Sequence, residues 1–339
     1  MNQSTLSTLR DPALLEVRNA HLARLESLFA GDTPERPFFL KGLREVSNTD
    51  PYADPRRWVA EALESLAHNT EESKDPDVFR PLCIEFRPYL VHFAEPMFGA
   101  RPRRVEGRWW IDRIHSNIGN LQPPDLDKDP TWHLARTVAR EFLSHSVTVP
   151  LFSLPTIAGS LNIASSLYGE DFFIAMLKRP AAVRHDLEVI NDLLCLLNRW
   201  YLDNIPPPQL QQACPDSRCM PPGHGLIYGC TTHLLSHETY RDFIAPLDEK
   251  LLSLYPNGGM IHLCGEHTQH IPTWREMKPL RAFQINDRAA DDLEIYFNEL
   301  RDDQIIYLSP TPAMTVPRAL EITRSRRLVI AADPPDTPL

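Results

Sequence analysis

The segment "GGMIHLCGEHTQH", residues 258–270, sets a cysteine and three histidines against an apolar run. Side chains at i and i+2 of a strand leave the same face, so His262 and Cys264 project together while Ile261 and Leu263 project the other way. An imidazole and a thiolate side by side are two good ligands for a transition metal. A third donor would leave one position open for substrate. Candidates for that third donor are Cys230, which ends the run "GLIYGC", and His267 and His270 in the loop beyond Cys264, with Cys230 and His267 ranked equally first.

Other polar groups fall at the ends of apolar runs. Asp287 follows "RAFQIN", where a carboxylate serves either as a general acid or base or as the cap of the next helix. Glu85 and Arg87 alternate in "CIEFRPYL" and so share a face, the first as a candidate catalytic carboxylate and the second as a candidate substrate anchor. Tyr228 and Ser309, at the ends of "GLIY" and "QIIYLS", are further candidate substrate contacts. Cys214, Cys219 and His224 lie in a proline-rich stretch, 204–224, whose spacing fits no zinc module and which reads as a long loop.

These residues need elements to hold them. Asp-Pro pairs at 11–12, 54–55 and 129–130 each open a segment with apolar residues at helical spacing. Aspartate can accept from the free N–H groups of the first turn, and proline sits there without losing a bond. A longer helix is expected over 180–203. Ser236 is expected to cap "HETYRDFIAPLDEKLLSLY", with Pro246 inside it as a kink. Short apolar runs alternate with these helices: "FFLKGL", "LCIEF", "VTVPLF", "GLIYGC", "GMIHLC", "RAFQI", "QIIYL" and "RLVIAA". From residue 225 onward the alternation of strand and helix predicts parallel βα units. "RRVEGRWWIDRI" predicts a β-hairpin turning at Glu106-Gly107. The expected architecture is an α/β (β/α)8 TIM barrel with N-terminal helical and hairpin additions. Residues 1–125 would hold the additions and first barrel elements, 126–332 the rest of the barrel with the active-site strand ends, and 333–339 a disordered tail. Chemistry in such a barrel sits where the strands end.

Bulk properties exclude several classes. The 339 residues carry a formal net charge of −10, which argues against nucleic acid or an anionic membrane as general partners. No apolar run reaches the ~20 residues needed to span a bilayer, and the start of the chain lacks a signal-peptide pattern, so a cytoplasmic location is expected. Six cysteines in a chain this long do not make a disulfide scaffold.

The chain resembles the uroporphyrinogen decarboxylase (URO-D) superfamily, and within it the zinc-dependent, corrinoid-linked (cobalamin) methyltransferase branch. The resemblance is carried by "LLSHETYRDFIAPLDEKLL" (234–252), "GGMIHLCGEHTQHIP" (258–272), "RAFQINDRAADDLEIYFNEL" (281–300) and "IIYLSPTPAMTVPRALEI" (305–322), with a mid-chain block at 147–194. It implies a single barrel in which His262 and Cys264 hold zinc and a small thiol receives a methyl group from a corrinoid on a partner protein. In that branch a Pro-Gly-Cys turn supplies a third ligand. Here those positions read Pro310-Thr311-Pro312 and no cysteine follows Cys264, so a third ligand would have to come from elsewhere, with Cys230 and His267 the first candidates. Two other readings are metal-free decarboxylation of a tetrapyrrole or smaller carboxylic acid, for which Arg87, Arg113 and Arg288 would have to converge, and a non-catalytic ligand-binding barrel.

Overall fold

The computed structural model describes residues 3–114 and 117–335. Its strands are β1 (Phe38–Leu40), β2 (Leu43–Arg44), β3 (Val78–Phe79), β4 (Leu82–Glu85), β5 (Arg101–Val105), β6 (Arg108–Asp112), β7 (Leu151–Leu154), β8 (Leu210–Gln212), β9 (Gly225–Tyr228), β10 (Gly259–Leu263), β11 (Leu280–Ile285), β12 (Ile305–Leu308) and β13 (Leu328–Ile330). Seven form one sheet in the order β3-β1-β13-β12-β11-β10-β9, and four form another in the order β2-β4-β7-β8. Every pairing in these two sheets is parallel.

The two sheets continue one another at one side, because β1 and β2 are successive pieces of one segment and β3 and β4 of another. Backbone bonds from Lys41 N to Phe79 O and from Leu43 N to Pro81 O, both 2.9 Å, carry the pairing across the break. At the other side β8 packs beside β9 without a shared ladder. Alternate residues from both sheets meet in one interior: Leu40, Cys83, Leu151, Leu226, Met260, Ala282, Ile305 and Val329 form a single buried cluster. Their sequence neighbours, such as Ile227, Ile261, Phe283 and Ile306, pack in the larger cluster with the helices. Strands covered on both faces read as continuous apolar runs.

The helix starts follow from the Asp-Pro pairs. Asp11, Asp54 and Asp129 accept from the backbone N–H groups of Ala13, Arg57 and Trp132, and open helices Pro12–Phe29, Pro55–His68 and Pro130–Ser144. The long helix runs Pro180–Asn204. Ser236 caps its helix through Thr239 N. Pro246 does more than kink that segment: it divides into His237–Phe243 and Ala245–Leu252. The hairpin forms as read, with Glu106 and Gly107 both at positive φ.

The stretch 204–224 departs from the expected loop, since it contains β8 and a 3-10 turn, Cys214–Asp216. Two of the three buried side chains of β8 are glutamines, which hide the apolar signal of a strand. Gln211 exchanges hydrogen bonds with the backbone of Met220, and Gln212 donates to Tyr255 Oη at 2.7 Å. Gly42 lets this stretch dock, because a Cβ there would lie 2.3 Å from the carbonyl oxygen of Cys214. At the C-terminus Asp333 pairs with Lys41 and Arg80, so the expected tail begins with an anchored residue; positions 336–339 lie outside the described residues. No described helix is long and apolar enough to cross a membrane.

One consequence of this packing concerns pH. Tyr240 Oη accepts from Trp274 Nε1 and donates to the carboxyl of Asp248, each at 2.9 Å, in a buried triad. Burial pushes the Asp248 carboxyl from its ordinary 3.8 up to about 7, and that of Glu45 from 4.5 up to about 8. A carboxyl with a raised folded pKa holds its proton more tightly in the folded chain. Its stabilisation is therefore full below the unfolded pKa and is lost as pH rises through the folded one. Thermal unfolding across roughly pH 4 to 8 will show Tm falling, and Asp248→Asn will flatten the lower part of that slope. A slope unchanged by the substitution would remove Asp248 as its source.

Candidate metal centre and substrate cavity

The register of three adjacent strands places the centre. Tyr228 of β9, His262 of β10 and Gln284 of β11 are direct neighbours near the C-terminal ends of their strands. Cys264 follows β10 by one residue, and Cys230 opens the 3-10 turn after β9. Cys264 Sγ lies 3.1 Å from His262 Nε2 and 3.2 Å from Cys230 Sγ. These three donor atoms all lie within 4.8 Å of one another.

Hydrogen bonding fixes the imidazole. Arg218 has only donors, and its Nε reaches Gln284 Oε1 at 2.9 Å. That oxygen also faces His262 Nδ1, which must therefore carry the proton and donate. Gln284 Nε2 points the other way and donates to Asn286 Oδ1 and to Ser309 Oγ. His262 Nε2 is thus left with its lone pair directed at Cys264. An outer partner that sets ring orientation and tautomer is a standard requirement of a metal-bound histidine.

Electrostatics divide the two thiols. The hydrogen bond from Cys230 draws the Cys264 thiol below its ordinary value, with burial opposing. Cys230 moves upward because it keeps the proton of the pair and is buried.

His267 does not join this group. Thr232 Oγ1 donates to Gly229 O at 2.7 Å, so His267 Nδ1 donates to Thr232 Oγ1 at 3.2 Å. The ring is fully buried beside His233, His270 and Trp274. Burial first, and then the neighbouring imidazoles, push it down to about 3, so it stays neutral.

A cavity of about 450 Å³ opens onto the centre. Cys230, His262, Cys264, Tyr228 and Arg87 all line it, as do Asp216 and Arg218 from the turn after β8. Asp216 ties three arginines together: Arg44 at 2.8 Å, Arg218 at 3.2 Å, and Arg87. Tyr228 Oη lies 3.2 Å from Arg218 Nη1. Glu85 is fully buried behind this wall. It accepts from Thr156 Oγ1 at 2.9 Å and pairs with Arg87 Nε at 3.1 Å.

The remaining predicted residues lie elsewhere. Ser309 is off the cavity wall and holds Gln284. Asp287 is exposed at the start of helix Asp287–Asp291, close enough for its charge to reach Cys264 but off the cavity wall, and it makes no side-chain cap. Arg113 lines a different cavity, and Arg288 is exposed and paired with Asp292, so neither joins Arg87. Cys214 and Cys219 are fully buried in the interior cluster, and His224 bonds Pro221 O.

Sequence reasoning missed Gln284, Asp216 and Arg218. Gln284 had a signal, as the lone polar residue inside the run "RAFQI". Asp216 and Arg218 had none, since they sit in the stretch read as a loop. Gln284→Leu will weaken metal binding roughly 10- to 100-fold, measured by competition with a chromophoric chelator, through loss of the tautomer lock. An unchanged affinity would show that His262 orients without it.

No protein-family model matches the chain, and neither does any curated protein. Among solved structures, a methyltransferase from Methanosarcina mazei superposes with a TM-score of 0.63 over 94% of each chain, at 11% identity. The chain therefore shares its α/β fold, over 94% of its length, with a methyltransferase.

Proposed function

We propose that this protein is a zinc-dependent methyltransferase built on a closed (β/α)8 barrel, moving a methyl group from a corrinoid on a partner protein to a small thiol. The observation that carries the reading is the Cys230–His262–Cys264 donor set, which opens onto a cavity at the C-terminal ends of parallel strands. Two cysteines and a histidine match a zinc site that keeps its fourth position for substrate. The fold shared with a methyltransferase supports the same reading, as does the facing of both sheets around one interior.

Bound there, zinc supplies the positive charge that makes a substrate thiol ionise near neutral pH. The chain's own residues do the rest. His262 is held in a single tautomer by Gln284. Arg218 and Tyr228 give the cavity fixed polar contacts, and Leu90, Val91 and Ala158 give it apolar wall against the substrate's carbon atoms. The sulfur's electron pair forms the new S–CH3 bond, and the donor keeps the pair of the bond that breaks.

Metal analysis after dialysis tests this. The wild type will retain about one zinc per chain and Cys264→Ser will lose it. The zinc form will methylate a simple thiol from methylcobalamin. A wild type that retains no zinc rules the reading out.

A further inference from the structure

The cavity wall carries a second set of reactive groups, which come from the segment after β4. His92 Nδ1 lies 2.9 Å from Glu95 Oε1, and both residues line the cavity. Glu95 is fully buried, and its Oε2 has no hydrogen-bond partner among the described residues. With the carboxylate on Nδ1, that nitrogen carries the proton. Nε2 then keeps a lone pair, and it is not among the buried, unpartnered side-chain atoms.

The backbone is strained to put the ring there. Tyr89 and Leu90 take φ of 58° and 56°, two consecutive left-handed residues with ordinary side chains. Such conformations cost about 1–3 kcal/mol each and persist where surrounding structure imposes them. Here the imposing contacts are visible. The Tyr89 ring packs edge-on to Trp109 of the hairpin and against Tyr52. Two residues past Leu90, His92 makes an isolated bridge to Ile157, between the cavity residues Thr156 and Ala158.

The other charged or titratable groups facing this space are committed. Asp216 is bound by three arginines, Arg87 and Arg218 have only donors, Tyr228 is bonded to Arg218, His262 is held between Gln284 and Cys264, and Cys230 and Cys264 are the proposed zinc ligands beside it. His92 is the cavity group with a basic nitrogen to spare.

We infer that His92, backed by Glu95, is the proton acceptor for the thiol bound in this cavity. The inference rests on the thiol-methylation reading above. The S–H bond breaks, its electron pair stays on sulfur, and the proton forms an N–H bond at His92 Nε2, directly or through one water. Glu95 offsets the charge of the imidazolium through Nδ1–H. The proton leaves to bulk water after methyl transfer.

The experiment counts protons released to an indicator dye when zinc-loaded protein is saturated with 2-mercaptoethanol at about pH 7. The wild type will release well under one proton per thiol bound, because the dyad captures it. His92→Gln and Glu95→Gln, each checked for retained zinc, will raise the count toward about one. Equal proton counts in wild type and both zinc-retaining variants would make His92–Glu95 a structural pair and overturn the inference alone. A wild type without zinc overturns the parent reading, and the acceptor role with it.

Discussion

Cys230→Ser will lower zinc affinity by roughly a hundredfold to a thousandfold, while His267→Ala will leave it within a few-fold of wild type. The size follows from sharing the ~10–16 kcal/mol of a four-ligand site equally among its ligands. The contrast follows from geometry. Cys230 Sγ stands 3.2 Å from Cys264 Sγ, whereas His267 spends Nδ1 on Thr232 in a buried cluster of rings. Both substitutions remove a good ligand close in sequence or space to His262 and Cys264, so the sequence gives no reason to prefer either. Competition with a chromophoric chelator on the three proteins reads the result. If His267→Ala proves the more damaging, the cysteine turn after β9 is not part of the centre.

Arg87→Met will cost about 3–5 kcal/mol of stability, the range for removing one partner of a buried ion pair. Glu85 has no exposed side-chain surface, and burial pushes its carboxyl upward against the opposing charge of Arg87. Without Arg87 its nearest cation is Arg44, at 3.7 Å. Asp216 also loses a partner. The variant's Glu85 will hold its proton to higher pH. Its stability will therefore decline as pH rises through that value, by the same linkage as for Asp248. Urea unfolding of Arg87→Met, Glu85→Gln and the double variant apportions the effect. The double variant should recover much of the loss, because no uncompensated carboxylate remains. A single-variant cost below about 1 kcal/mol would mean that the cluster is solvated and works as a surface network.

Much of the framework was legible in the residues because its causes are local. The three Asp-Pro pairs read as helix starts, at 11–12, 54–55 and 129–130, each cap the helix they open. Period-two placement of His262 and Cys264 on one strand face needed only backbone geometry. The apolar runs named the strands of both sheets apart from β3, which is only two residues long, and β8, where two buried glutamines took the place of hydrocarbon. The resemblance pointed to the C-terminal strand ends, and the cavity lies there.

What the chain by itself determined is therefore the candidate donor pair, His262 and Cys264, and the elements that carry it, since both depend on neighbours within a few positions. Which third donor meets that pair, and which polar groups face the cavity, were decided by tertiary structure alone. Cys230 and Cys264 are 34 residues apart, and Arg218 reaches Gln284 across 66. Contacts of that span are fixed by strand order and register, in which β9, β10 and β11 lie side by side. A spacing rule along the chain holds no information about them.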